Sequence, residues 1–338
     1  VLTIPKYDLN DQYLNCRRNQ SVSYLHSKGV AIDLLFYGAY EQPREVFRSI
    51  YDQGMNRNLY LDKVANEQEL NLLDIKTRRL HAADFRSIRN DLSDSLERND
   101  VALLFGDGYR LPYKQNTYMK RHYMKRHELH SVMICGLNPS TGRYEVRDDI
   151  YDSDLYRSGR DYITYECDEG SLSSFYDHEF DYGMHETLES KWDIIYYEID
   201  FNRHKSYLRD VFYPRFEDML SKSCMDFDLY TEIPDIIASA SMDQPLQQED
   251  KLLQVITILI GSRKHFMLFL QSIHRIGTET IESFDRIIGY LKSIRYSLIK
   301  KSMTGKLDHL KLRNKCELLR SDEESALRTL KELILPIK

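Results

Sequence analysis

A chain of 338 residues with 42% hydrophobic content is long enough to build two buried cores. Its net charge of -6 and pI near 6.0 argue against general attraction to nucleic acid or to an anionic membrane surface. Five scattered cysteines without a Cys-x-x-Cys pair argue against a disulfide framework and for a reducing cytoplasm.

In chain order, Cys16 heads the first helical stretch, which runs on without Pro or Gly until Gly29, a good helix stop. Short apolar strands follow at Val101 to Phe105, Val132 to Gly136, Tyr144 to Arg147, Tyr162 to Tyr165 and Trp192 to Ile199. Between the second and third of these, Asn138 to Gly142 form a turn cluster, so the two read as an antiparallel hairpin. Beyond about Arg203 helix dominates. Pro234 to Gln248 reads as a linker or mobile lid, and Phe284, Ile287, Ile288, Leu291, Ile294 and Leu298 mark a core-facing helix. Ser321 with Glu324 reads as a capping box opening a last helix. The expected domains are residues 1–203 and a helical accessory region, 204–338. The longest apolar run, Leu252 to Gly261, is about half a membrane span. Val1 onward lacks the basic and apolar order of a signal peptide.

The chemistry gathers on Cys16, His130 and Asp148. A thiol is a weak nucleophile until a helix N-terminus or a neighbouring imidazolium favours the thiolate, and Cys16 is placed to have both. His130 opens the hairpin's first strand. Asp148 ends its second, on the same face as Val146, where it returns beside His130; a one-residue slip would substitute Asp149. A carboxylate there would fix the imidazole tautomer and stabilise the imidazolium. Cys, then His, then Asp is the order of a papain-like acyl-transfer site, and the fold class expected is α+β: an N-terminal helix plus an antiparallel sheet.

Charge is unevenly spread. Tyr118 to His122 is repeated as Tyr123 to His127, and six Lys or Arg fall between positions 110 and 127, just before His130. Lys120, Arg121, Lys125 and Arg126 would suit an acidic partner and its phosphate, or simply form a solvated face. From Asp148 to Asp200, sixteen acids face three bases, a net of -13 that would gather a cationic amine, or a solvated acidic loop region. His127 and His130 are spaced i, i+3 rather than i, i+4, so no metal is expected. No phosphate-binding glycine loop accompanies Gly106 and Gly108, which disfavours nucleotide-driven ligation and leaves a preactivated donor such as a thioester.

Cys16 to Gly38, Asp107 to Tyr113, His130 to Gly136 and Val146 to Asp148 resemble the N-terminal domain of the butirosin biosynthesis protein H family. That resemblance implies a papain-like cysteine acyltransferase that takes an acyl group from a carrier-protein thioester and delivers it to an amine. Related papain-like proteins, including the amide-forming enzyme of closthioamide assembly, are similar. The implied partners are an acyl or peptidyl carrier protein bearing phosphopantetheine and a small amine or diamine, with no cofactor in the enzyme. Papain-like peptidases carry a Gln six residues before the nucleophile; here Asn10 holds that position and Gln12 is the nearest Gln, so either is a candidate oxyanion donor with the Cys16 backbone N–H. Two other readings use the same residues: a papain-like cysteine peptidase or amidase, and a non-catalytic scaffold that binds a carrier protein.

Overall fold

The computed structural model describes residues 4–7, 13–61, 64–82, 84–98, 101–113, 127, 129–148, 162–177, 193–199, 207–239, 245–273 and 275–335. The protein is α+β and divides into two compact units, each discontinuous in sequence. The first comprises Val1–Leu9, Cys16–Val30 and Leu73–Arg203; the second comprises Asn10–Asn15, Ala31–Leu72 and His204–Lys338.

The first unit is built on a six-stranded antiparallel sheet of β1 (Ile75–His81), β2 (Ala102–Asp107), β3 (Leu129–Asn138), β4 (Arg143–Asp148), β5 (Ile163–Cys167) and β6 (Asp193–Ile199), ordered β1-β6-β2-β3-β4-β5. Its helices are α1 (Cys16–Ser27), α2 (Phe85–Glu97) and α3 (Glu169–Asp177). Strand side chains alternate between faces. Leu104, Val132, Ile134 and Val146 therefore share one face and pack with Phe85, Ile88 and Leu92 of α2 and with Leu172 and Phe175 of α3. Each such fully buried side chain contributes roughly 1.5–3 kcal/mol of transfer free energy. Phe105 and Ser131, paired across β2 and β3, face the other way and meet α1: the Arg17 guanidinium lies 5.1 Å from the Phe105 ring centroid, and Gln20 Nε2 donates to the Ser131 carbonyl at 2.8 Å.

Local chemistry sets the ends of these elements. Gly29 adopts φ +80°, and the N–H groups of Gly29 and Val30 donate to the carbonyls of His26 and Leu25, closing α1 with a Schellman motif. In the β3–β4 turn Gly142, at φ +65°, donates to the Asn138 carbonyl at 2.8 Å, and the Asn138 side chain accepts from Ser140 N at 3.0 Å. On β2, a Cβ at Gly106 would lie 2.2 Å from the Phe175 carbonyl oxygen. Only glycine lets α3 approach the strand this closely.

The second unit joins short helical turns between Ala31 and Leu72 to α4 (Tyr213–Lys222), α5 (Asp228–Ser239), α6 (Pro245–Gln271), α7 (Thr278–Thr304) and α8 (His309–Ile334). Phe284, Ile287, Ile288, Leu291, Ile294 and Leu298 are buried along α7. By length and composition Gln248–Gln271 would also fit a membrane span, but 67% of that window is buried inside the fold, as in a core helix. At the centre Arg263 and Glu323, both fully buried, pair at 2.6 Å. Tyr40 and Tyr230 donate to Glu323 at 2.7 and 2.6 Å.

Two expectations about this unit are corrected. Pro234 lies inside α5, not in a linker. The helix survives because Leu229, Tyr230, Ile233 and Ile237 are all buried, and together they outweigh the roughly 3 kcal/mol cost of an interior proline. Ser321 starts no helix, because α8 already begins at His309, where Asp308 accepts from Lys311 N at 3.0 Å. Leu312, Cys316 and Leu319 extend its buried stripe ahead of Ser321, and Glu324 pairs with Arg328 instead.

Candidate active site

Cys16 is the first residue of α1, so its half-buried sulfur sits at the positive end of the helix. His130, the second residue of β3, is buried, and Asp148, the last of β4, is fully buried. The hairpin brings them together: His130 Nε2 lies 2.9 Å from Asp148 Oδ1 and 2.8 Å from Oδ2. With Nε2 occupied by the carboxylate, Nδ1 is the ring nitrogen left for the thiol. Burial, the largest influence on Cys16, pushes its pKa up. A hydrogen bond and the charge of His130, with side-chain and backbone hydrogen bonds from Ser131, outweigh burial and hold the thiol below its ordinary value.

Three residues around this constellation were not singled out from sequence. Tyr113 donates to Asp148 Oδ2 at 2.7 Å and stacks on Tyr165 with ring centroids 4.1 Å apart. Burial and then the Asp148 charge drive the Tyr113 phenol well above its usual range, so it remains a donor. Gln20, one turn along α1 from Cys16, clamps Ser131 twice: Gln20 Nε2 donates to its carbonyl at 2.8 Å and Ser131 Oγ donates to Gln20 Oε1 at 2.7 Å. The segment containing Tyr113 was legible as a motif; its role was not, because the contact with Asp148 spans 35 residues.

His127 is also paired. Its Nδ1 lies 2.6 Å from the fully buried Asp107 carboxylate, and its ring stacks on Tyr109 with centroids 4.2 Å apart. No group of three or more metal-ligating side chains occurs among the described residues. Asn10, Gln12, Lys120, Arg121, Lys125, Arg126 and Asp149 lie outside the described residues. Of the other thiols, Cys135 is half-buried, Cys167 and Cys316 are buried, and Cys224 is exposed. His26 is exposed on α1, edge-on to Tyr7.

A nucleophile, a base in contact with it and an acid that orients the base are the parts required for covalent acyl transfer. No protein-family model matches the chain. The chain is similar to a Niallia circulans protein named as the ribostamycin:4-(gamma-L-glutamylamino)-(S)-2-hydroxybutanoyl-(BtrI acyl-carrier protein) 4-(gamma-L-glutamylamino)-(S)-2-hydroxybutanoate transferase, with 27% identity over 147 residues. The match covers 44% of this chain and 46% of that protein, so the chain spans less than half the length of its relative.

Proposed function

We propose that this protein is a papain-like cysteine acyltransferase that moves an acyl group from a carrier-protein thioester to an amine. The observation that carries the reading is the His130 imidazole, held through Nε2 by both oxygens of Asp148 and lowering the pKa of Cys16. The relative, whose name specifies a carrier-bound acyl donor, supports the class of donor.

In this mechanism the Cys16 thiolate attacks the thioester carbonyl carbon. The tetrahedral intermediate collapses by breaking the bond to the phosphopantetheine sulfur, which takes the proton held on His130. An amine then attacks the Cys16 thioester and gives a proton to His130 as the amide forms and the Cys16 sulfur departs. Thiolate and imidazolium are thereby restored, and the net products are an amide and a free carrier thiol. The Cys16 backbone N–H, at the start of α1, is one donor to the oxyanion; Asn10 or Gln12 is the other. Asp148 keeps His130 in one tautomer, and Tyr113 holds the carboxylate. The reading places the protein in the cytoplasm, in specialised-metabolite assembly.

Intact-protein mass spectrometry tests this reading. Wild type and Cys16→Ala are mixed with a panel of acyl-loaded carrier proteins, and amines are then added. The expected result is a gain of one acyl mass on wild type alone, discharged by amine into an amide. No adduct from any carrier, together with labelling of Cys16 by a peptidyl electrophile, would instead identify a peptidase.

A further inference from the structure

The turn between α7 and α8 carries a surface that the acyl-transfer chemistry leaves unused. Gly305, at φ +67°, ends α7, and Asp308 caps α8 three residues later. From Lys292 to Glu317 there are eight Lys or Arg against two acids, a net of +6 inside a chain of net -6. Some of these charges serve the fold: Lys301 pairs with Glu249 at 2.6 Å and Arg313 with Asp235 at 2.7 Å. Lys315 donates to Ser293 Oγ across the helix pair. Lys300, Lys306 and Lys311 line, together with Lys315 and the capping Asp308, one cavity of about 360 Å³ between the two helices.

Apolar side chains stand out around the same tip. Met303 is 81% exposed, Leu310 71% and Tyr296 69%, while Ile294, Leu298, Leu312 and Cys316 take the buried stripes of the two helices. Single exposed apolar residues need no explanation, but apolar residues grouped around a charged groove mark a contact surface. The charge selects the partner. A second copy of this chain would set lysine against lysine in a two-fold contact. A bilayer offers negative charge, but its flat surface does not enter a concave lysine groove as the acidic edge of a helix would.

We infer that the α7–α8 tip is the docking surface for the acyl-carrier protein. An acidic helix of the carrier lies in the lysine groove, with apolar residues against Tyr296, Met303 and Leu310. This rests on the acyltransferase reading and names where its protein substrate is held.

The test compares the full chain with Lys306→Glu/Lys311→Glu and, separately, with Met303→Ser/Leu310→Ser. Each is assayed with an acyl-carrier protein and with the same acyl group on free pantetheine. Circular dichroism melts report folding, which these exposed positions leave intact. The expected result is a rise of about tenfold or more in the KM for the carrier, with the pantetheine thioester reacting as in wild type. Three outcomes overturn docking while leaving acyl transfer in place. One is a carrier KM unchanged in both variants, and another is an effect seen only when Lys120 and Lys125 are reversed. The third is wild-type sedimentation with phosphatidylserine vesicles that the lysine reversal abolishes without moving the carrier KM. A wild type that accepts an acyl group from neither donor would overturn the acyltransferase reading itself.

Discussion

Tyr113 and His130 hold the same oxygen of Asp148: the Tyr113 hydroxyl lies 2.7 Å from the Oδ2 atom that also lies 2.8 Å from His130 Nε2. Two donors converge on one buried acid. Asp148→Asn keeps a single acceptor oxygen for the two donors and removes the negative charge that stabilises the His130 imidazolium. Acyl-enzyme formation should fall by roughly 10³-fold or more, with the fold retained. Tyr113→Phe removes one hydrogen bond and leaves the carboxylate, so the loss should be about tenfold. Single-turnover acylation at saturating thioester measures both. A Tyr113→Phe rate equal to wild type would remove Tyr113 from the constellation.

The thiols should separate by pH. Cys16 is held below the ordinary thiol value, whereas burial pushes Cys135, Cys167 and Cys316 up to about 12. In a Cys224→Ser background, iodoacetamide near pH 6.5 should therefore label Cys16 ahead of the other three. His130→Ala takes away both the hydrogen bond and the charge, leaving burial opposed by Ser131 alone, so the Cys16 labelling midpoint should move upward. The linkage signs are opposite. Between the lowered folded pKa of Cys16 and its unfolded value the unfolded chain binds more protons, so that contribution to stability grows with pH and is lost as pH falls through the folded pKa. For the three raised thiols, stability is fully present below the unfolded thiol pKa and is lost as pH rises towards 12. A wild-type labelling midpoint at the ordinary thiol value would contradict the lowered pKa.

Parts of this structure were legible because their causes are local. Asn138 to Gly142 contain their own turn chemistry, Gly29 supplies its own left-handed residue, and the α7 stripe repeats every three to four residues. The hairpin then placed His130 beside Asp148 without help from the rest of the chain. What sequence did not reveal depends on distant partners. Strand β1 reads Ile-Lys-Thr-Arg-Arg-Leu-His, too polar to announce itself, and it exists as the antiparallel partner of β6, more than a hundred residues on. Gln20 and Ser131 are 111 residues apart, and the turns between Ala31 and Leu72 group with helices that begin after His204. No periodicity within a short window contains those relationships.

Gly106→Ala should disturb the sheet directly across from His130, since Gly106 and His130 are register partners. The new Cβ would meet the Phe175 backbone carbonyl at 2.2 Å, and a backbone oxygen cannot rotate away as a side chain can. Moving α3 off β2 would open the cluster formed by Leu104, Leu172 and Phe175. A cost of about 1–3 kcal/mol is expected in urea unfolding, accompanied by slower acylation. Gly29→Ala keeps its space but forces φ +80° on a side chain, so its cost should be smaller and leave acylation unchanged. Equal effects on acylation at the two positions would mean that Gly106 acts through general stability alone.

In the second unit the Arg263–Glu323 pair tests how a buried charge is tolerated. Arg263 Nε meets Glu323 Oε1 at 2.6 Å, Arg263 Nη1 donates to the Glu41 carbonyl at 2.6 Å, and the guanidinium lies 4.1 Å from the Tyr40 ring centroid. Arg263→Met strips the fully buried Glu323 carboxylate of its cation, with only the Tyr40 and Tyr230 hydroxyls to hold it. The expected loss is about 3–5 kcal/mol. Adding Glu323→Gln removes the stranded charge; its one amide oxygen accepts from one tyrosine and its NH2 donates to the hydroxyl oxygen of the other, so the double variant should be more stable than Arg263→Met alone. Urea midpoints for wild type, both single variants and the double complete the cycle. If the double variant were less stable than Arg263→Met, the cost would belong to packing around the guanidinium and not to the uncompensated carboxylate.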